Sequence, residues 1–124
     1  NRRRTRYQVM DRGFEIKDML VGNETPDEIM DLIRDTFEEV LVPEVGGYYT
    51  FVYSPTTPDI QYDQYPLVAV TELFSWGFRG INYHWGDYRN YGWGEVGANS
   101  FHQISTMEIK SVRSLPFAKF LLNN

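Results

Sequence analysis

Between Ile29 and Leu41 the apolar residues Ile29, Leu32, Ile33, Phe37, Val40 and Leu41 recur every three or four positions. Asp27, Glu28, Asp31, Asp35, Glu38 and Glu39 fill the opposite side. That period is the stripe of an amphipathic helix. Thr25-Pro26-Asp27-Glu28 opens it as a capping box, in which Thr25 accepts from the Glu28 N–H and Glu28 reaches back to Thr25. Pro26 stands at the first helical position, where its missing N–H costs nothing. Val42-Pro43 and Gly46-Gly47 stop the pattern, so it predicts a helix over about 26–41.

Elsewhere the period is shorter. Tyr7–Met10 and Phe14–Val21 read as short strands around an Arg12-Gly13 turn. Tyr48–Tyr53 is aromatic and β-branched, which also predicts a strand. The prolines of Ser54–Asp59 exclude regular structure there. Leu67–Phe74 is apolar on both pleat faces as far as Thr71, which predicts a strand buried on both sides. Ser75-Trp76-Gly77 is a tight connection to a strand over Phe78–Trp85, with Ile81, Tyr83 and Trp85 on one face and Asn82 and His84 on the other. Gly86–Gly92 reads as a turn-rich loop, and Trp93–Ile104 as a loose helical stripe weakened by Gly94 and Gly97. A second capping-box pattern, Ser105–Glu108, opens a short helix to about Ser114; Pro116 ends it, and Phe117–Leu122 closes the sheet. The expected fold is α+β: a small curled antiparallel sheet or barrel, one amphipathic helix, and short C-terminal helical turns. Residues 1–6 are expected to form a basic flexible arm and residues 7–124 a single domain, the size of 124 residues being that of one compact unit.

Charge sharpens this picture. The formal net charge of −5 conceals +4 over residues 1–17, −11 over residues 18–72, where Arg34 is the sole base, and +2 over residues 73–124. An acidic middle cannot wrap a polyanion, so a general nucleic-acid coat is not expected, while Arg2, Arg3, Arg4 and Arg6 remain candidate contacts for phosphates or an acidic partner. The plainer reading of that arm is a solvated terminus, or one docked on an acidic helix. The chain opens on Asn1 without a Met, so residue 1 is not taken as a native start. With no cysteine, disulfide scaffolds, thiol nucleophiles, iron–sulfur clusters and cysteine-based zinc sites are excluded. No apolar run approaches the roughly 18–20 residues of a membrane span, and no membrane contact is expected.

Catalytic constellations are absent. His84 and His102, the two histidines, lie eighteen positions apart without ligand spacing, so structural roles are preferred to a metal site. There is no Gly-x-Ser-x-Gly elbow, dinucleotide fingerprint or Walker pattern. Asp31, Asp35 and Glu38 read as a solvated acidic helix face before an acid–base pair. No enzyme activity, cofactor, metal or small-molecule substrate is expected. The density that stands out is aromatic: Tyr83, Trp85, Tyr88, Tyr91 and Trp93 fall within eleven positions, interleaved with Arg79, Arg89 and Asn90. Tyr, Trp and Arg are the residues of protein-interface hot spots, and the same types stack on single-stranded bases. Tyr83, Trp85 and Trp93 serve equally as core or contact, whereas Tyr88, Arg89 and Tyr91 are expected at a contact surface.

Two stretches carry a resemblance: Tyr62-Asp63-x-x-Pro66-Leu67-Val68-x-Val70, and Gly77-Phe78-x-Gly80-x-Asn82-x-His84-Trp85. With the aromatic strand Tyr48–Tyr53, the Pro-containing loop Ser54–Asp59 and the terminal Leu122-Asn123-Asn124, the chain resembles, over roughly residues 7–124, a family of small, mostly uncharacterised proteins of contractile-tailed phages, cyanophages especially. Thr25–Leu41 looks like an insertion relative to that pattern. The resemblance implies a curled-sheet domain serving as a virion structural or accessory part, located in the virion and in the host cytoplasm before assembly, with other phage proteins or copies of itself as partners. It brings no catalytic motif. The expectation is thus a non-enzymatic assembly module acting through Tyr88, Arg89, Tyr91, Trp85 and Trp93. The alternatives are a nucleic-acid-binding accessory protein using the Arg arm, and an effector inhibiting a host protein through Asp31, Asp35 and Glu38.

Overall fold

The computed structural model describes residues 11–96 and 101–124. The strand expected at Tyr7–Met10 and the arm Arg2, Arg3, Arg4 and Arg6 lie outside the described residues, as do Gly97 and Ser100.

In place of the expected strand at Phe14–Val21, the described residues open with helix α1, Arg12–Met19. Asp11 is its N-cap and accepts from the Phe14 N–H at 2.9 Å, so Arg12-Gly13 begins a helix where a turn was expected. Alternation at Phe14 and Ile16 imitates a strand, but only Gly13 and Ile16 are buried, three apart on one helical face. Helix α2, Pro26–Thr36, carries both capping-box bonds: Glu28 N–H to Thr25 Oγ1 at 3.2 Å and Thr25 N–H to Glu28 Oε1 at 2.8 Å. It ends more than a turn earlier than the period predicts. Phe37 is extended, and Glu39–Val40 leave the helix to pair as strand β1 with Phe101 and His102. A β-branched Val in reach of a strand partner decides between the two.

Six further strands follow along the chain: β2 (Tyr48–Thr50), β3 (Ile60–Asp63), β4 (Leu67–Leu73), β5 (Gly77–Asn82), β6 (Asp87–Gly92) and β7 (Phe101–Ile104). Helix α3 (Ile109–Arg113) and β8 (Phe120–Asn123) complete the described elements. A six-stranded antiparallel sheet runs β1-β7-β2-β4-β5-β6, and β3 pairs with β8 in a separate two-stranded sheet. Among the described residues β1 and β6 are the two ends of the larger sheet, so it is a curled-sheet arrangement not closed into the barrel that was the other expectation. Phe117–Leu122 does not close that sheet either; its strand, shifted to Phe120–Asn123, lies on β3.

Other expectations shift in the same region. The turn-rich loop Gly86–Gly92 is strand β6, paired residue by residue with β5. The helical stripe Trp93–Ile104 resolves into a 3₁₀ turn at Trp93–Glu95 and strand β7. Tyr48–Tyr53 keeps three residues as a strand, with Tyr53 forming a lone bridge to Val96. β5 stops at Asn82, so Tyr83, His84 and Trp85 lie in the turn that follows. Ser105 makes no capping box: its hydroxyl donates to Glu108 Oε1 at 2.7 Å, and Glu108, the N-cap of α3, makes no cap bond.

Leu67, Val68 and Val70 are buried on alternate pleat faces, as their unbroken apolar run predicts. One face, with Leu67 and Ile104, packs Ile16, Ile29, Met30, Ile33, Phe37 and Val112 of the helical layer. The other, with Val68, Val70 and Phe101, packs Tyr49, Phe51, Phe78 and Tyr91. Phe51 is its centre, 5.6 Å from Phe78 and 5.2 Å from both Tyr91 and Phe101. Two polar knots tie the layers. Buried Glu108 accepts from the Arg12 N–H, Nε and Nη2 at 2.7, 2.8 and 2.7 Å. Buried Asp63 accepts from the Tyr65 and Lys119 N–H groups, from Asn82 Nδ2 and from His84 Nδ1, and so joins β3, β5 and the entry to β8.

Candidate contact surface at the β6 edge

Among the described residues, β6 pairs with β5 and with no other strand. In an antiparallel ladder, residues alternate between pairs that exchange hydrogen bonds and pairs whose backbone groups point away. The Trp93 N–H donates to Trp76 O at 3.1 Å, which continues the β5–β6 register and places Tyr91, Arg89 and Asp87 in the bonded set. On the far side of β5, the Tyr83 N–H donates to Leu67 O at 2.8 Å, which fixes the same alternation independently. The backbone N–H and C=O groups of Tyr88 and Asn90 therefore point off the sheet. The outward N–H of Gly92 has turned to Glu95 Oε1 at 3.4 Å.

Side chains follow the pleat. Arg89 and Tyr91 share the aromatic-core face, and Tyr88 and Asn90 the other. Tyr91, expected at the contact surface, is 1% exposed and packs against Phe51, Tyr53 and Phe78, so it is withdrawn as a contact residue. Burial raises its phenol pKa. Tyr88 is 56% exposed, with the Arg79 guanidinium 4.8 Å from its ring centroid. Arg89 lies 4.8 Å over the Trp85 ring and donates from Nη2 to Gln61 O at 3.2 Å. Trp85 is half-buried and stacks on Phe120 at 5.2 Å. Trp93 stands at the border of exposure, 5.4 Å from Phe78.

The tip of the β4–β5 hairpin belongs to the same rim. Phe74 and Trp76 stack at 4.9 Å with rings 7° from parallel, yet both are exposed, as is Leu73. Trp76 reads in the sequence as part of a tight connection; the signal for its exposed role is a Phe-x-Trp pair flanking a hairpin turn. An open groove of about 680 Å³ runs beside β6, lined by Tyr53, Ile60, Trp76, Tyr88, Arg89 and Glu95. A second open depression, lined by Gln61, Trp85 and Asp87, also borders Tyr88 and Arg89. Backbone donors and acceptors along a strand, with flanking aromatic side chains, are what an incoming strand needs.

The other candidates fall elsewhere. Asp31 and Asp35 are exposed on α2 and border a shallow depression with Arg34, Glu39 and His102. Glu38 is not on the helix: it follows its end and pairs with Arg12 Nη1 at 2.9 Å, so the acidic face loses that member. His84 is structural through Nδ1 on Asp63 and packs edge-on against Phe117 at 4.8 Å. His102 is buried between β1 and β2, and desolvation lowers its pKa. Among the described residues, no group of three or more His, Asp or Glu is placed to hold a metal ion, and no helix is long and apolar enough to cross a membrane. No protein-family model, curated protein or solved structure matches this chain.

Proposed function

We propose that this chain is a non-enzymatic protein-contact module whose β6 edge takes up a strand of a partner, in the setting of a tailed-phage particle that its resemblance implies. The observation that carries the reading is the coincidence, on one rim, of backbone groups at Tyr88 and Asn90 that no other described strand pairs with and the exposed aromatic residues Trp76 and Tyr88. Exposed edges are normally blunted by Pro, by bulges or by shortness. β6 has six residues, no Pro and an unbroken register with β5. The nucleic-acid alternative depends on Arg2, Arg3, Arg4 and Arg6, outside the described residues, and the host-effector alternative keeps only Asp31 and Asp35.

Asn90→Pro tests the reading, because it removes an outward N–H without touching the β5 ladder. Quantitative mass spectrometry of purified particles is expected to find the wild-type chain and a several-fold lower copy number of the variant, with unchanged circular dichroism. Absence of the wild-type chain from particles overturns the virion setting. Equal incorporation of a folded Asn90→Pro chain overturns the edge.

A further inference from the structure

Resting on β6 as the contact edge, we propose that its partner is a second copy of this chain, the two β6 strands pairing antiparallel about a two-fold axis at Tyr88. The charge pattern of the strand carries the register. Asp87 and Arg89 lie on the same pleat face, two residues apart, and each is next to Tyr88. Outward backbone groups belong to the even-numbered residues, so a symmetric pairing must match even with even. Centred on Tyr88, it sets Asp87 against Arg89 of the second copy, and Arg89 against its Asp87. Moving the centre to Arg89 opposes two guanidinium groups, and moving it to Asp87 opposes two carboxylates; like charges directly opposite are destabilising. A centre at Asn90 sets Asp87 against Trp93 and matches no charge.

The same register suits the other positions. Asp87 and Arg89 fall in the pairs that do not exchange backbone bonds, the class whose Cα atoms approach to about 4.5 Å. Tyr88 meets Tyr88 on the opposite face, each ring with its own Arg79 guanidinium 4.8 Å away. Asn90 meets Gly86, which has φ +84° and no side chain to obstruct it; the Gly86 N–H is held by Asn82 O at 2.7 Å, so its carbonyl is what the Asn90 N–H meets. Arg89 uses one N–H on Gln61 O, leaving further donors of its five for the carboxylate. Open depressions border Tyr88, Arg89 and Asn90 on one side and Trp85, Asp87, Tyr88 and Arg89 on the other. Pairing at β6 also closes: each sheet then ends at the two-residue β1, so growth stops at two copies.

The test uses sedimentation equilibrium of the full chain with charge-swapped variants. Wild type is expected to be dimeric. Asp87→Arg and Arg89→Asp should each weaken association at least about tenfold, and the double swap Asp87→Arg/Arg89→Asp should restore it to within about threefold. Because the chain has no cysteine, Tyr88→Cys adds an independent readout. Bonded antiparallel pairs hold Cα atoms about 5.5 Å apart, inside the disulfide range, so mild oxidation should give a covalent dimer at a protein concentration raised more than about tenfold to offset the loss of the ring. A dimer indifferent to the charge swaps, or one that the Tyr88→Cys substitution fails to cross-link, overturns the pairing. A folded wild-type monomer at high concentration overturns the second copy alone if particle incorporation still falls with Asn90→Pro; if incorporation is also unaffected, the edge reading falls with it.

Discussion

At one end of the six-stranded sheet, β1 offers two residues, Glu39 and Val40; at the other, β6 offers six. Behind β1 lies charge: Glu38, just before it, takes Arg12, which reaches on to buried Glu108. Behind β6 lies an aromatic cluster, with Tyr91 turned in and Tyr88 turned out. A two-residue edge anchored by ion pairs terminates a sheet, because it leaves little ladder to extend. A six-residue edge on a rigid aromatic core keeps its ladder straight and available. Within β6 itself, then, buried Tyr91 should govern stability and exposed Tyr88 association.

The sharpest way to break this comparison is Tyr91→Ala. Tyr91 touches Phe51, Tyr53 and Phe78, and truncation leaves a cavity at the centre of the cluster. The expected loss is about 3–5 kcal/mol, read as a lowered urea midpoint. A loss under about 1 kcal/mol would mean that β6 is held from outside, and the division between inward and outward residues would be wrong.

Glu108→Ala applies the same question to the closed end. It removes the carboxylate that accepts three donors from Arg12 and leaves that guanidinium with Glu38 alone. About 3 kcal/mol should be lost in urea unfolding, the usual result of deleting one partner of a buried pair. Burial pushes the Glu108 pKa up, but the bonds from Arg12 and Ser105 outweigh burial and hold it below the ordinary glutamate value of 4.5. A depressed carboxylate contributes stability that is complete above its unfolded pKa and disappears as pH falls through its folded one. Wild type should therefore lose more stability than Glu108→Gln on acidification below about 4.5. Parallel pH profiles for the two would remove the ion pair from the account of this end.

How much of this was legible depends on whether local and tertiary signals agree. Helix α2 is readable because Thr25, Pro26, Glu28 and the stripe Ile29–Ile33 all state one structure. β4 is readable because Leu67, Val68 and Val70 are buried on both faces. Helix α1 is misread because Phe14 and Ile16 alternate like a strand, while its deciding features are the Asp11 cap and the contact of Gly13 with Ser111 and Val112, nearly a hundred residues away. β6 is misread because Asp87, Asn90 and Gly92 favour turns; its extension is imposed by the ladder with β5. The candidate contact surface was proposed at Tyr88, Arg89 and Trp85 from composition alone. Which of Tyr88 and Tyr91 faces out is a matter of pleat phase, and that phase is unreadable once the segment is taken for a loop.

The smallest expected effect on stability is the most informative about the open end. Tyr88→Ala removes a ring that is 56% exposed and whose described partner is the exposed face of Arg79. A surface cation–π contact is worth about 0.5–1 kcal/mol, and Ala has the lower strand propensity, so unfolding should change by no more than about 1 kcal/mol. The ring is nevertheless the centre of the proposed pairing, so the same substitution should cost association at least about tenfold while the urea midpoint barely moves. Tyr91→Ala, three residues along the strand, should do the reverse when its effect on folding is discounted by working well below its unfolding midpoint: weaker folding, with association lost only as far as the strand frays. If the two substitutions instead lower stability and association in parallel, the two faces of β6 are not separable, and the edge is simply part of the core.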